Sequence, residues 1–150
     1  MNEAIRNKIL TLLDQHRIMT IATLRPDGWP QATTVGYVNE GLTIYFLCGL
    51  DSQKAANLAL DDRVSLTIDH DTPDLMAITG LSMAAHAQAV VDPTEANKVL
   101  HMLPLKYPEQ ISAPVPMPTP EDVRIFRVTP TVISVLDYSK GFGHTELVSC

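Results

Sequence analysis

The apolar positions of the first fifteen residues recur at helical spacing. Ile5, Ile9, Leu12 and Leu13 fall at i, i+4, i+7 and i+8, with Arg6, Asn7, Lys8 and Gln15 on the other side. That stripe predicts an amphipathic helix docked by one face. From Ile18 the period changes. Ile18–Leu24 is rich in Ile and Thr, and Arg25-Pro26-Asp27-Gly28 carries turn chemistry. Gln31–Val38 is β-rich and uncharged, Asn39-Glu40-Gly41 makes a second turn, and Leu42–Cys48 is a third apolar run. The segment Ile18–Cys48 thus predicts a three-stranded antiparallel meander.

Gly49-Leu50-Asp51-Ser52 breaks the sheet, and Ser52–Leu60 returns to helical composition, with Asp51 or Ser52 as its N-cap. Arg63–Asp69 alternates, Val64, Leu66 and Ile68 against Ser65 and Thr67, which predicts a half-buried strand. His70–Asp74 is a polar loop. Leu75–Val91 reads as one bent strand or two, with Gly80 as the bulge or break. Asp92-Pro93-Thr94-Glu95 starts a helix expected to end near Met102. Pro104 to Pro120 holds six of the eleven prolines, which predicts no regular helix there but an ordered wrapping loop or a mobile lid. Val123–Val128 and Thr131–Leu136 read as two strands separated by Pro130, and the tail from Asp137 as irregular.

Six or seven strands with three short helices, and no repeating strand–helix alternation, disfavour a doubly wound fold. They favour a mainly β protein, a closed or partly open antiparallel barrel with flanking helices. At 150 residues, with no repeat or linker, the chain predicts a single domain over residues 1–150. Its net charge of −6 argues against a general nucleic-acid binder, which needs cations to neutralise phosphate. No apolar run approaches the roughly 20 residues of a membrane span, and the N-terminus has no leader pattern. Cys48 and Cys150 are too few for a disulfide framework. A cytoplasmic protein with reduced thiols is the expectation.

Local chemistry concentrates at Cys48–Asn57, where a strand ends, a glycine turn follows, and a helix opens at Ser52 with Lys54 two residues on. Helix N-termini attract phosphate through unpaired N–H groups and the dipole, and a hydroxyl and an ammonium add to both. An ordinary N-cap beside a solvated lysine is the plainer reading. His16, His70, His86, His101 and His144 show no i,i+4 or His-x-His pairing, so no metal site is expected. There is no nucleophile elbow and no Gly-x-Gly-x-x-Gly after a strand.

Four stretches in order carry a resemblance: Gln15–Leu24, Pro26-Asp27-Gly28-Trp29-Pro30, Ser52–Leu58 and Asp62–Ile68. Their order and spacing resemble the pyridoxamine 5′-phosphate oxidase-like proteins, the FMN-binding split β-barrels, including small general-stress-protein-like members. The resemblance covers about Leu12 to Val91. It implies a six- to seven-stranded antiparallel split barrel and a homodimer with FMN at the subunit interface. It also implies phosphate contacts from Ser52, Gln53 and Lys54, where Gln53 stands in place of the family's arginine and offers only neutral hydrogen bonds. Ring contacts are implied for Gln31, Ala32, Thr33, Thr34 and Val35, with Leu47 and Cys48 at the end of the third strand and Ser82 on a later one.

The family's Arg-x-His substrate motif has no counterpart here, since the C-terminal region offers Arg124, Arg127 and His144 without that spacing. The expectation is an FMN-dependent oxidoreductase acting on a small molecule other than pyridoxamine 5′-phosphate. Another flavin-like cofactor, or a non-catalytic flavin- or haem-binding stress-response protein with His144 as the haem ligand, is the alternative. No particular residue is required as general acid or base.

Overall fold

The computed structural model describes residues 1–112 and 116–150. Helix α1 spans Glu3–Gln15, capped by Asn2, whose side chain accepts from the Ile5 amide. It buries Ile9, Leu12 and Leu13, three of the four residues of the predicted stripe. Strands β1 (Ile18–Leu24) and β2 (Pro30–Gly36) form a hairpin in which Ile21 faces Thr33 and Thr23 faces Gln31. A short β3 (Val38–Glu40) and β4 (Thr43–Gly49) form the next hairpin. Helix α2 (Gln53–Leu60) and β5 (Arg63–Asp69) follow, and β5 is buried at every second residue as its alternation predicts.

The predicted meander does not form. The sheet order is β2-β1-β5, then β6 (Thr79–Ala89), β7 (Val123–Asp137), β4 and β3, all antiparallel. Strand β4 therefore pairs with β7, not β2, and the curled sheet brings β4 beside β2 without pairing them. Tyr37 makes the divide. Its ring is fully buried and its hydroxyl lies 2.7 Å from the Leu13 carbonyl and 2.9 Å from that of His16. The centre of β4, Ile44-Tyr45-Phe46, is apolar because it is buried on both faces. Ile44 and Phe46 enter the barrel core with Ile21, Ile68 and Phe126, while Tyr45 and Leu47 meet helix α3 (Pro93–Lys106).

Gly80 is not a break; β6 runs through it after a 3₁₀ turn at Leu75–Ala77. A Cβ on Gly80 would stand 2.6 Å from the Ile68 carbonyl oxygen, so the glycine permits close approach of β5. Helix α3 (Pro93–Lys106) passes Met102 and continues through Pro104 into a 3₁₀ turn at Pro108–Ser112. Burial of Val99 and Leu103 offsets the proline's lost hydrogen bond. The lid or wrapping loop expected at Pro104–Pro120 is thus in part helix, and residues 113–115 of it lie outside the described residues.

Pro130 does not divide two strands either; β7 is one strand of 15 residues. The register against β6 shifts between Ala84 and Ala85, which pair with Val132 and Pro130 and leave Thr131 as the extra residue. The Thr131 hydroxyl donates to the Ala84 carbonyl at 3.1 Å, in the neighbourhood where proline has no N–H to give. The tail is also more regular than expected. A 3₁₀ turn at Tyr138–Lys140 leads to β8 (Thr145–Ser149), which pairs with the second half of β7. The described strands number eight rather than six or seven.

Candidate functional site

The N-terminus of α2, the edge strand β2 and the end of β4 converge where the sheet is split. Ser52 caps α2, its Oγ accepting from the Ala55 amide at 3.1 Å. One turn on, fully buried Asn57 joins three residues. Gln53 Nε2 donates to Asn57 Oδ1 at 2.8 Å, and Asn57 Nδ2 donates to Thr23 Oγ1 at 3.0 Å and Gln31 Oε1 at 3.3 Å. Buried amides persist only when hydrogen-bonded, so these contacts fix α2 against β1 and β2. Asn57 lies in the stretch that carries the resemblance, yet its site role was not legible. Its one sequence signal is a polar residue among Ala55, Ala56, Leu58 and Ala59, four residues from Gln53.

Gln31 and Gln53 are thereby brought together, with Ser52 and Lys54 at the adjoining helix start. Lys54 is half-exposed and joins none of the ion pairs formed among the described residues. On β2, Gln31, Thr33 and Val35 share the side of Thr23, Ile21 and Met19, toward the core. Thr33 Oγ1 is the buried side-chain polar atom that lacks a partner among the described residues. Ala32 and Thr34 point the opposite way and are exposed. Leu47 packs toward α3 and Cys48 toward the barrel core, both half-buried. Ser82 does not join this group. It lies between Thr67 and Ser134 on the outer face of the sheet, five residues along β6 from Ala87 near α2, roughly 17 Å of strand.

Two depressions adjoin α2 and β4. A groove of about 740 Å³ flanks α2 on the side away from Gln31, floored by Ala55, Ala59, Ala87 and Phe126 and rimmed by Asp51 and Arg124. An apolar cavity of about 320 Å³ lies among Gly36, Leu47, Leu103, Tyr107 and Met117. Tyr107, on its wall, is fixed by hydrogen bonds. Its hydroxyl accepts from the Tyr37 amide at 2.9 Å and donates to the Arg17 carbonyl, and a Cβ on Gly36 would stand 2.9 Å from that oxygen.

Other candidates are occupied structurally. Arg127 is held by both oxygens of Glu95, at 2.9 and 2.8 Å, and Tyr45 donates to the same carboxylate at 2.8 Å. The guanidinium pulls Glu95 down to about 2. Asp61 chelates Arg63, and Asp62 meets His86 at 2.7 Å. His16 and His70, unpaired in sequence, meet in space. His16 Nδ1 donates to the Leu12 carbonyl at 2.7 Å, which leaves Nε2 to accept from His70 Nδ1 at 3.0 Å. No group of three metal-ligating side chains forms among the described residues. His144 sits 3.4 Å from Glu146 near the C-terminus, and Trp29 is 71% exposed at the first hairpin turn. No helix among the described residues is long and apolar enough to cross a membrane.

An antiparallel sheet curled into a split barrel, with a capped helix closing on its open seam, defines the split β-barrel class. The family model described as pyridoxamine 5′-phosphate oxidase matches residues 5–137. The chain belongs to that family. Solved structures of the same fold include a conserved hypothetical protein of Mycobacterium tuberculosis, 27% identical, with a TM-score of 0.75 and coverage of 99% of this chain and 93% of that one. General Stress Protein 26 of Bacillus anthracis is 16% identical with a TM-score of 0.71, covering 97% and 98%. The haem storage protein HutZ of Vibrio cholerae is 21% identical with a TM-score of 0.68, covering 83% and 88%. No curated protein matches the chain.

Proposed function

We propose that this chain is a homodimeric FMN-binding oxidoreductase acting on a small molecule other than pyridoxamine 5′-phosphate. The observation that carries the reading is the Gln53–Asn57–Gln31 linkage, which ties the helix start bearing Ser52 and Lys54 to the strand bearing Thr33. These residues fit the group. Among the described residues Lys54 is a cation outside every ion pair and Thr33 Oγ1 is a buried polar atom without a partner, while the Ser52 hydroxyl retains its proton for donation. Bound FMN supplies hydride chemistry at its ring, and the chain supplies anchoring, orientation and a cleft that limits access. Ser52 and Lys54 hold the phosphate, while Gln31 and Thr33 border the ring.

Dimerisation is supported by the outer sheet face, where Thr20, Thr34, Thr67, Ser82 and Ala84 form an uncharged surface. A second copy seated there is what brings Ser82 to a shared cofactor. The engagement of Arg127 by Glu95 supports a substrate other than a phosphorylated one bound by that arginine.

Haem is the second reading, favoured by the fold shared with HutZ and with a haem binding protein of Mycobacterium smegmatis. His144 is the ligand it requires. The absorption spectrum of the purified protein, before and after FMN addition and desalting, separates the two. Retained flavin bands support FMN. A Soret band overturns it in favour of haem, and a featureless spectrum in both samples overturns both.

A further inference from the structure

Of the five lysines, Lys8, Lys98 and Lys140 pair with carboxylates, and Lys54 stands at the helix start already described. Lys106, at the end of α3, is half-buried and joins no ion pair among the described residues. Its Nζ donates to the Leu13 carbonyl at 2.8 Å and lies 4.0 Å from the centre of the Tyr37 ring. The amine opens on a groove of about 420 Å³ lined by Asp14, Arg17, Val38, Met102 and Leu105.

We propose that Lys106 is a nucleophilic acceptor for small acyl groups delivered by anionic activated donors of the acyl phosphate class. A desolvated ammonium without a counter-ion releases its proton more readily than a solvated one. Burial is the main cause, and Arg17 adds to it while Asp14 of α1 opposes it; together they bring the amine down to about 8. The Tyr37 ring and the Leu13 carbonyl favour the charged form but supply no full negative charge. Val38, Met102 and Leu105 offer apolar lining to the acyl chain. Arg17 at the rim favours an anionic donor, although its guanidinium also meets Glu109 at 3.0 Å.

In the step, the neutral amine adds to the acyl carbon and a C–N bond forms. The C–O bond to phosphate breaks, phosphate leaves with the electron pair, and the nitrogen's surplus proton passes to water. The resulting amide is uncharged. It loses the cation over Tyr37, so α3 is held less firmly on the end of α1.

The test is a time course of the full chain with acetyl phosphate, each lysine followed by peptide mass spectrometry at about pH 7 and about pH 9. At the lower pH, Lys106 should acquire acetyl about tenfold faster than Lys8, Lys98 or Lys140, because far more of it is neutral. The advantage should shrink at the higher pH, where the Lys106 amine is already mostly neutral and gains little more. Acetylation of Lys106 at the same rate as those three, or slower, overturns the proposal. Lys106→Arg keeps the charge, so it should abolish the fast phase and leave the other sites unchanged. A fast phase that survives in this variant also overturns it. The readout is mass, so the result is independent of which cofactor binds.

Discussion

Asn57 Nδ2 lies 3.3 Å from Gln31 Oε1, a contact between a helix interior and an edge strand 26 residues apart. It sets the position of the helix start relative to β2 and is the joint on which the candidate site turns.

Asn57→Ala should therefore act on stability and on cofactor binding together. It strips partners from Gln53, Thr23 and Gln31, a loss of about 1–3 kcal/mol for buried polar groups left unsatisfied. Urea denaturation measures the first effect and FMN titration the second. Unchanged FMN affinity in a destabilised variant would mean that the joint is structural alone.

Lys54→Ala should weaken FMN binding tenfold or more, about 1.5–3 kcal/mol for a charge-assisted hydrogen bond. Gln53→Arg should strengthen it, since an exposed position at the helix start gains the fixed charge that glutamine lacks. Flavin fluorescence quenching reads both. Equal affinities for wild type and Lys54→Ala remove Lys54 from the site.

Thr67→Glu places a charge in the middle of the outer sheet face, between Thr20 and Ser82. The side chain is exposed, so the fold should persist by circular dichroism. Sedimentation should shift from dimer to monomer, with loss of FMN. A wild-type chain that sediments as a monomer contradicts the two-subunit site outright.

Glu95 gives a pH signature. Its carboxyl falls from the usual 4.5 to about 2 when folded, mainly through the Arg127 hydrogen bonds. A depressed folded pKa contributes stability above the unfolded value, and that stability is lost as pH falls from about 5 toward 2. Glu95→Gln should cost about 1–2 kcal/mol at neutral pH and flatten the stability profile across that acid window. Thermal melts at several pH values provide the comparison.

Gly80→Ala should destabilise by about 1–3 kcal/mol, because its Cβ would meet a backbone oxygen at 2.6 Å. Gly49→Ala is the matched control, with nothing within 4 Å of its added Cβ. Similar melting temperatures for the two variants would contradict the close approach of β5 and β6.

Local spacing carried a large part of this architecture. The stripe Ile9, Leu12, Leu13 marks α1, the alternation Val64, Leu66, Ile68 marks β5, and Ser52 is one of the two residues, with Asp51, suited to cap α2. Each depends on neighbours within a turn or two, where side-chain period and backbone capping are written directly in the chain. Ser52 and Lys54 are legible as candidates for the same reason, whereas Gln53 and Gln31 are candidates through the family resemblance alone.

What remained depended on residues far apart in the chain. Pro130 reads as a strand boundary until Thr131 is seen supplying a hydroxyl to Ala84, 47 residues away. Pro104 reads as a helix end until Leu103 is seen buried against β4 and β7. The run Thr43–Gly49 reveals a strand but not its partner. Barrel closure selects β7 because Phe46 stacks on Phe126 at 5.4 Å. The sequence by itself determined most of the helical and extended segments, though not β8 or the last turn of α3, and where the helix start with its cation lies, since those follow from local sterics and hydrogen bonding. Only the tertiary structure decided which strands pair, which buried amide joins Gln31 to Gln53, and which lysine is desolvated, because pairing, burial and desolvation are properties of the packed chain.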